Sequence, residues 1–197
     1  QSILSAGLIS IPRKHPDYYA LAFVNYILGG DYSSRLNMNL RQDKGYSYGF
    51  HSSIEWMNPF SVLLARGSVQ TEVTKESVFE TIKELTEIRD SNEISLEEFR
   101  KAKDGLIKSV PSQFESNQQI VNQLLNMAGF DLPINHFEVN IKKISELTIN
   151  EVRESATKHL SPDETKIIVV GDRDKVEKGL EELGYPIKHI NMYGDPV

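Results

Sequence analysis

The chain has 197 residues, 39% hydrophobic and 25% charged, with no cysteine and a formal net charge of -6. This is a globular composition; it excludes a disulfide framework and any thiolate metal site, and its acidity argues against nucleic acid as a partner. No apolar run approaches the roughly 20 residues that a bilayer core requires, and the opening residues lack the basic-then-apolar order of a signal peptide.

Ser2 to Ile11 alternates small and branched residues and is expected to form a strand. A helix follows, with Pro16 suited to its first turn, Asp17 to the positive end of its dipole, and Gly29-Gly30 to its end. Ala20, Phe23, Val24, Ile27 and Leu28 recur at three and four residues and give it a wide apolar face. A short second helix is expected from Ser34 to Gln42. From Tyr46 the period changes to two, and the turn signal Asn58-Pro59 separates two extended runs that read as an antiparallel hairpin.

Three helical segments come next. The first places Val78, Ile82 and Leu85 on one face; the second opens with Ser95 and Glu98 at capping-box spacing; Pro111 divides it from the third, which stops near Gly129. After Pro133 another helical stretch leads to a second capping-box pair, Thr148 and Glu151. The segment TKIIVVGD reads as a short apolar strand, central in its sheet. A helix from Asp174 to Leu183 stops at Gly184, and PIKHINMYG reads as a last strand. A hairpin plus grouped helices indicates an α+β fold, and the absence of linkers or repeats indicates one domain spanning residues 1–197.

Most of the usual chemistry is missing. None of the five histidines lies four residues from another, so neither orientation of the two-histidine zinc helix is present. His51 and Glu55 share a strand face, but two ligands do not make a site, so no metal is expected in this chain. The strand-Gly171-Asp172 turn has one glycine where a dinucleotide fingerprint needs three. No Gly-x-Ser-x-Gly occurs, and Ser33-Ser34 reads as a helix N-cap. Residues 72–98 hold nine acids and three bases, which reads as one solvated helix face and its following turn; an acidic surface for basic peptides is the alternative.

Arg41 and Tyr48 are different in kind. A short helix ending near Gln42, a turn at Asp43-Lys44-Gly45 and a strand from Tyr46 would return position 41 towards position 48, with Tyr46 and Tyr48 on one face. A guanidinium and a phenol together provide donors, suited to a peptide carbonyl or to the oxyanion of a tetrahedral intermediate. An arginine beside a tyrosine is also a common stacked surface pair, and the residues alone leave both readings open.

Residues 15–50, HPDYYALAFVNYILGGDYSSRLNMNLRQDKGYSYGF, resemble the signature of the pitrilysin/insulinase family of zinc peptidases, which includes the mitochondrial processing peptidase. The resemblance is to the second, non-zinc half. It rests on Leu28-Gly29-Gly30, on Ser34-Arg35-Leu36, on Leu40-Arg41 and on Tyr48 seven residues later, and the closing residues 167–197 are similar to the end of such chains. It implies an antiparallel-rich mixed sheet flanked by helices on one side, half of a clam-shell that encloses a peptide. It also implies that the partner half carries the zinc, its ligands and a glutamate base. Arg41 and Tyr48 would then hold the substrate backbone and help stabilise the tetrahedral intermediate, with Arg35 structural. Such a half has no cofactor of its own and is inactive alone. It is either the C-terminal piece of a chain of double length, which the Gln start favours, or a separate subunit. The alternative is a non-catalytic structural subunit of the same family. An isolated half has an apolar face that normally meets its partner, which allows self-association; oligomeric state, compartment and peptide preference stay open.

Overall fold

The computed structural model describes residues 1–90 and 94–197. Four strands, β1 (Ser2–Ser10), β2 (Ser47–Glu55), β3 (Ser61–Val69) and β4 (Lys166–Val170), form one sheet in the order β2-β3-β1-β4. Every pairing in it is antiparallel. The alternation in β1 sorts its two faces as expected. Leu4, Ala6 and Leu8 are buried under the helices, while Ile3 and Ile9 stay exposed on the other side. β2 and β3 form the expected hairpin, turning through a cis Asn58-Pro59 peptide.

Two expectations about the end of the chain fail. β4 is an edge strand, paired with β1 alone among the described strands. Its Ile167 and Val169 pack on the core, whereas Ile168 is 52% and Val170 62% exposed. An all-apolar strand signals two faces that favour cover, not neighbours on both edges. The expected last strand is absent too. Beyond Gly184 the chain makes a single bridge, Ile190 to Pro196, around a turn in which Asn191 Oδ1 accepts from the backbone N–H groups of Tyr193 and Asp195. Polar turn chemistry overrides the apolar alternation there.

The helices are α1 (Tyr18–Asn25), α2 (Arg35–Asn37), α3 (Thr74–Arg89), α4 (Leu96–Lys108), α5 (Asn117–Gly129), α6 (His136–Glu146), α7 (Ile149–His159) and α8 (Arg173–Glu181). Both capping boxes form. Ser95 Oγ accepts from Glu98 N at 3.1 Å and Glu98 returns a bond to Ser95 N at 2.8 Å; Thr148 and Glu151 do the same. The core lies between the sheet and this helical layer, with Phe23 of α1 stacked on Phe99 of α4 at 5.0 Å.

Pro16 precedes the helix rather than opening it. Asp17 occupies the N-cap position but makes no side-chain cap bond. The acidic stretch is not simply a solvated face either. Glu80 and Glu84 of α3 are each only 8% exposed, and both accept from Asn39 Nδ2, at 2.9 and 2.7 Å. Burial pushes Glu84 above the ordinary glutamate range. Glu93 of that stretch lies outside the described residues.

Candidate functional site

Two π-helical turns shape the region around Arg41 and Tyr48. α1 runs on as a π turn over Tyr26–Gly30, and α2 runs on as a second over Met38–Asp43. π turns interrupt helices at functional positions more often than elsewhere. The second ends with Lys44 N donating to Asn39 O at 3.0 Å, and Gly45 then takes a φ of +66°, where a glycine avoids the Cβ clash. Tyr46 N donates to Leu40 O at 2.8 Å, and Gln70, just past β3, ties the turn down from the other side through Tyr46 O and Gly45 O. The chain is thus reversed and clamped before β2 begins.

β2 opens on a bulge. Its register with β3 shifts between Ser47 and Phe50. Ser47 Oγ fills the gap, its one hydrogen within reach of Gly49 O at 2.8 Å and Ser68 O at 2.7 Å, while it accepts from Gly49 N. Bulges re-aim side chains. Here the consequence is Tyr48, which is 88% exposed while Phe50, two residues on, is fully buried.

Arg41 sits on the π turn with its guanidinium carbon 4.7 Å above the Tyr32 ring. Among the described residues it pairs with no carboxylate, so its N–H groups are available to a ligand. Tyr32 is itself held: its hydroxyl accepts from Gln42 Nε2 at 2.7 Å and its carbonyl from Asn37 Nδ2 at 2.6 Å. Asn37 is fully buried, and its Oδ1 accepts from Phe50 N at 3.3 Å. One amide therefore fixes the Tyr32 loop to the strand that presents Tyr48. Upstream, Asp31 accepts from Ser33 N, Ser33 Oγ and Tyr26 OH. Burial, with the Asp31 carboxylate beside it, pushes the Tyr26 phenol up to about 12, so it remains a donor.

The structure places Arg41 and Tyr48 at the same end of the sheet, but not in contact. No hydrogen bond or ring contact joins them among the described residues. Tyr46 does not share a face with Tyr48. It precedes the strand and packs on the core, because the bulge breaks the two-residue period. Arg35 is structural as expected, gripping Glu98 through Nε at 2.7 Å and Nη2 at 3.1 Å. Ser34 holds the N-cap position of α2, yet its hydroxyl is buried without a partner instead of capping. Sequence reasoning missed Tyr32 and Asn37. The only hint was their position, in the glycine-to-arginine segment between the two recognised landmarks.

The described residues contain one cluster close enough to share a metal ion, His15, Asp17 and His159. It was invisible at the level of spacing because its histidines are 144 positions apart. Its groups already satisfy one another. Asp17 N donates to His15 Nδ1 at 3.0 Å, and Asp17 Oδ2 lies 2.6 Å from His159 Nε2 and 2.8 Å from Lys158 Nζ. With the His15 Nδ1 lone pair taken by a backbone N–H and an ammonium on the Asp17 carboxylate, these residues do not present the three free ligand atoms of a catalytic zinc centre.

A four-stranded antiparallel sheet with helices packed on one face defines an α+β fold. Comparison with known proteins agrees. The family model described as the peptidase M16 inactive domain matches residues 1–106, and the chain belongs to that family. A Bacillus subtilis protein described as an uncharacterized zinc protease, YmxG, is 31% identical over 119 residues, 59% of this chain and 28% of its own length. A Helicobacter pylori protein described as a non-peptidase homolog, YmxG, is 23% identical over 153 residues, 76% of this chain and 34% of its own. The chain thus spans about a third of these relatives. Among solved structures, a peptidase M16 inactive domain from Pseudomonas fluorescens superposes with a TM-score of 0.74 at 26% identity, over 85% of this chain and 40% of that one.

Proposed function

We propose that this chain is the substrate-holding half of a zinc-dependent endopeptidase, working opposite a homologous half that carries the metal, its ligands and the general base. Bound there, the zinc supplies Lewis-acid activation of the attacking water. The residues of this chain bind and orient. Arg41 donates to the peptide backbone through its guanidinium N–H groups, and Tyr48 donates its phenolic hydrogen to the oxygen that gains charge as the carbonyl becomes tetrahedral. The observation that carries this reading is the pair itself: two donors that no carboxylate engages among the described residues, one clamped on a π turn and one raised on a bulge, at one end of a sheet.

The experiment is steady-state cleavage of a peptide by this chain assembled with a zinc-bearing half. Removing the backbone grip with Arg41→Ala should raise KM by about tenfold or more, with zinc content unchanged. An Arg41→Ala protein with wild-type KM and kcat would overturn the role. A second reading, a non-catalytic structural subunit, is favoured by the description of the Helicobacter relative as a non-peptidase homolog. A cognate half without the two-histidine zinc motif would decide for it.

A further inference from the structure

At the far end of β2 from Tyr48, roughly 20 Å along a strand that rises about 3.3 Å per residue, lies a cavity of about 400 Å³ between α1, α4, α5 and α6. Tyr18, Trp56 and Phe137 wall it, and the amides of Asn126 and Asn140 also line it. Into this aromatic space the β1–α1 connection brings Arg13, which is only 7% exposed. Its guanidinium carbon lies 3.5 Å from the centre of the Tyr18 ring, and Nη2 lies 3.3 Å from His136 Nε2, itself on a residue only 8% exposed. An arginine only donates, so His136 accepts at Nε2 and is neutral. Among the described residues no carboxylate pairs with Arg13.

A buried cation without a counter-charge is costly, and proteins ordinarily pair such groups. A neutral imidazole and a ring face satisfy one N–H and one side of the guanidinium plane; they do not neutralise it. The cavity also has the size of a small-ligand site, with aromatic and aliphatic walls, several amides and one charge. We infer that this cavity binds a carboxylate carrying an apolar group, the acid pairing with Arg13 in a fork and the apolar group lying against Trp56 and Phe137. A free organic acid and the C-terminal residue of a short peptide share that chemistry. The site needs neither the zinc half nor the Arg41–Tyr48 pair, so its test stands apart from theirs.

Trp56 is the only tryptophan of the chain and lies 4.4 Å from the Tyr18 ring, so its emission reports occupancy directly. The probes are N-acetyl-phenylalanine and its uncharged amide, titrated against the chain. The expected result is a saturable change with the acid and a response about tenfold weaker or more with the amide. In Arg13→Met, with native circular dichroism verified, the acid should fall to the level of the amide. A tripeptide ending in phenylalanine identifies the source: tighter binding than the free acid points to a chain terminus, weaker binding to a small acid, and either keeps the carboxylate assignment. Equal binding of acid and amide overturns it, as does no response to either up to about 10 mM or an undiminished response in folded Arg13→Met. Should Arg13→Met not fold, the acid-against-amide comparison on the wild type decides alone.

Discussion

At the scale of single residues, charges placed by the fold do what no short motif announces. Asp17 accepts from Lys158 and lies against His159, and those two hydrogen bonds hold its carboxyl down from the ordinary 3.8 to about 2. A carboxylate with a depressed folded-state pKa adds stability that is complete above its unfolded value and disappears as pH falls through the folded one. Asp17→Asn should therefore melt below the wild type at about pH 5, and the gap should close between about pH 4 and pH 2. Melting curves across that range check it; a gap as large at pH 2 as at pH 5 would contradict it. Arg35 makes a simpler case. It is mostly buried and grips Glu98 with two bonds, so Arg35→Ala leaves a half-buried carboxylate short of its partner. The expected loss is about 2 kcal/mol in urea unfolding, with Arg35→Lys recovering only part because an ammonium cannot make the fork.

At the scale of elements, the close approach of the π turn after α1 to the hairpin is a tight constraint. A Cβ added at Gly29 would fall on the backbone nitrogen of Ser52 and 2.7 Å from its Cβ. β2 cannot retreat, because β3 holds it by the strand ladder. Gly29→Ala should cost about 2–3 kcal/mol, measured by denaturant titration, and a neutral substitution would mean that the π turn can shift. This glycine was legible in the sequence as a helix stop; its packing role was not, since it depends on a residue 23 positions away. The same division runs through the fold. Ser95 with Glu98 and Thr148 with Glu151 are local pairs, and both were readable. The hairpin was readable from its period. The edge position of β4, the missing last strand, the burial of Glu80 and Glu84 on Asn39 and the meeting of His15 with His159 all depend on tertiary placement, which periodicity does not encode. At the candidate site, Arg41 and Tyr48 were legible through a resemblance, whereas the bulge that turns Tyr48 outward and the Asn37 bridge to Tyr32 were not.

At the scale of the whole molecule, the sheet keeps one face covered by helices and one face open. Ile3, Ile9, Ile168 and Val170 project from the open face. Contiguous exposed apolar surface of that kind is ordinarily met by a partner. The isolated chain should self-associate, with concentration-dependent sedimentation that Ile168→Glu abolishes; a monomer at every concentration would contradict that expectation. The central claim concerns the other end of the sheet, where Tyr48 stands clear of the protein. The most direct measurement is turnover of a quenched-fluorescent peptide by this chain assembled with its zinc-bearing half, wild type against Tyr48→Phe at matched zinc content. Loss of one donor to the developing oxyanion should lower kcat by about a hundredfold or more while zinc stays bound. Equal turnover by the two proteins would contradict the claim and leave Tyr48 an exposed ring on a bulge.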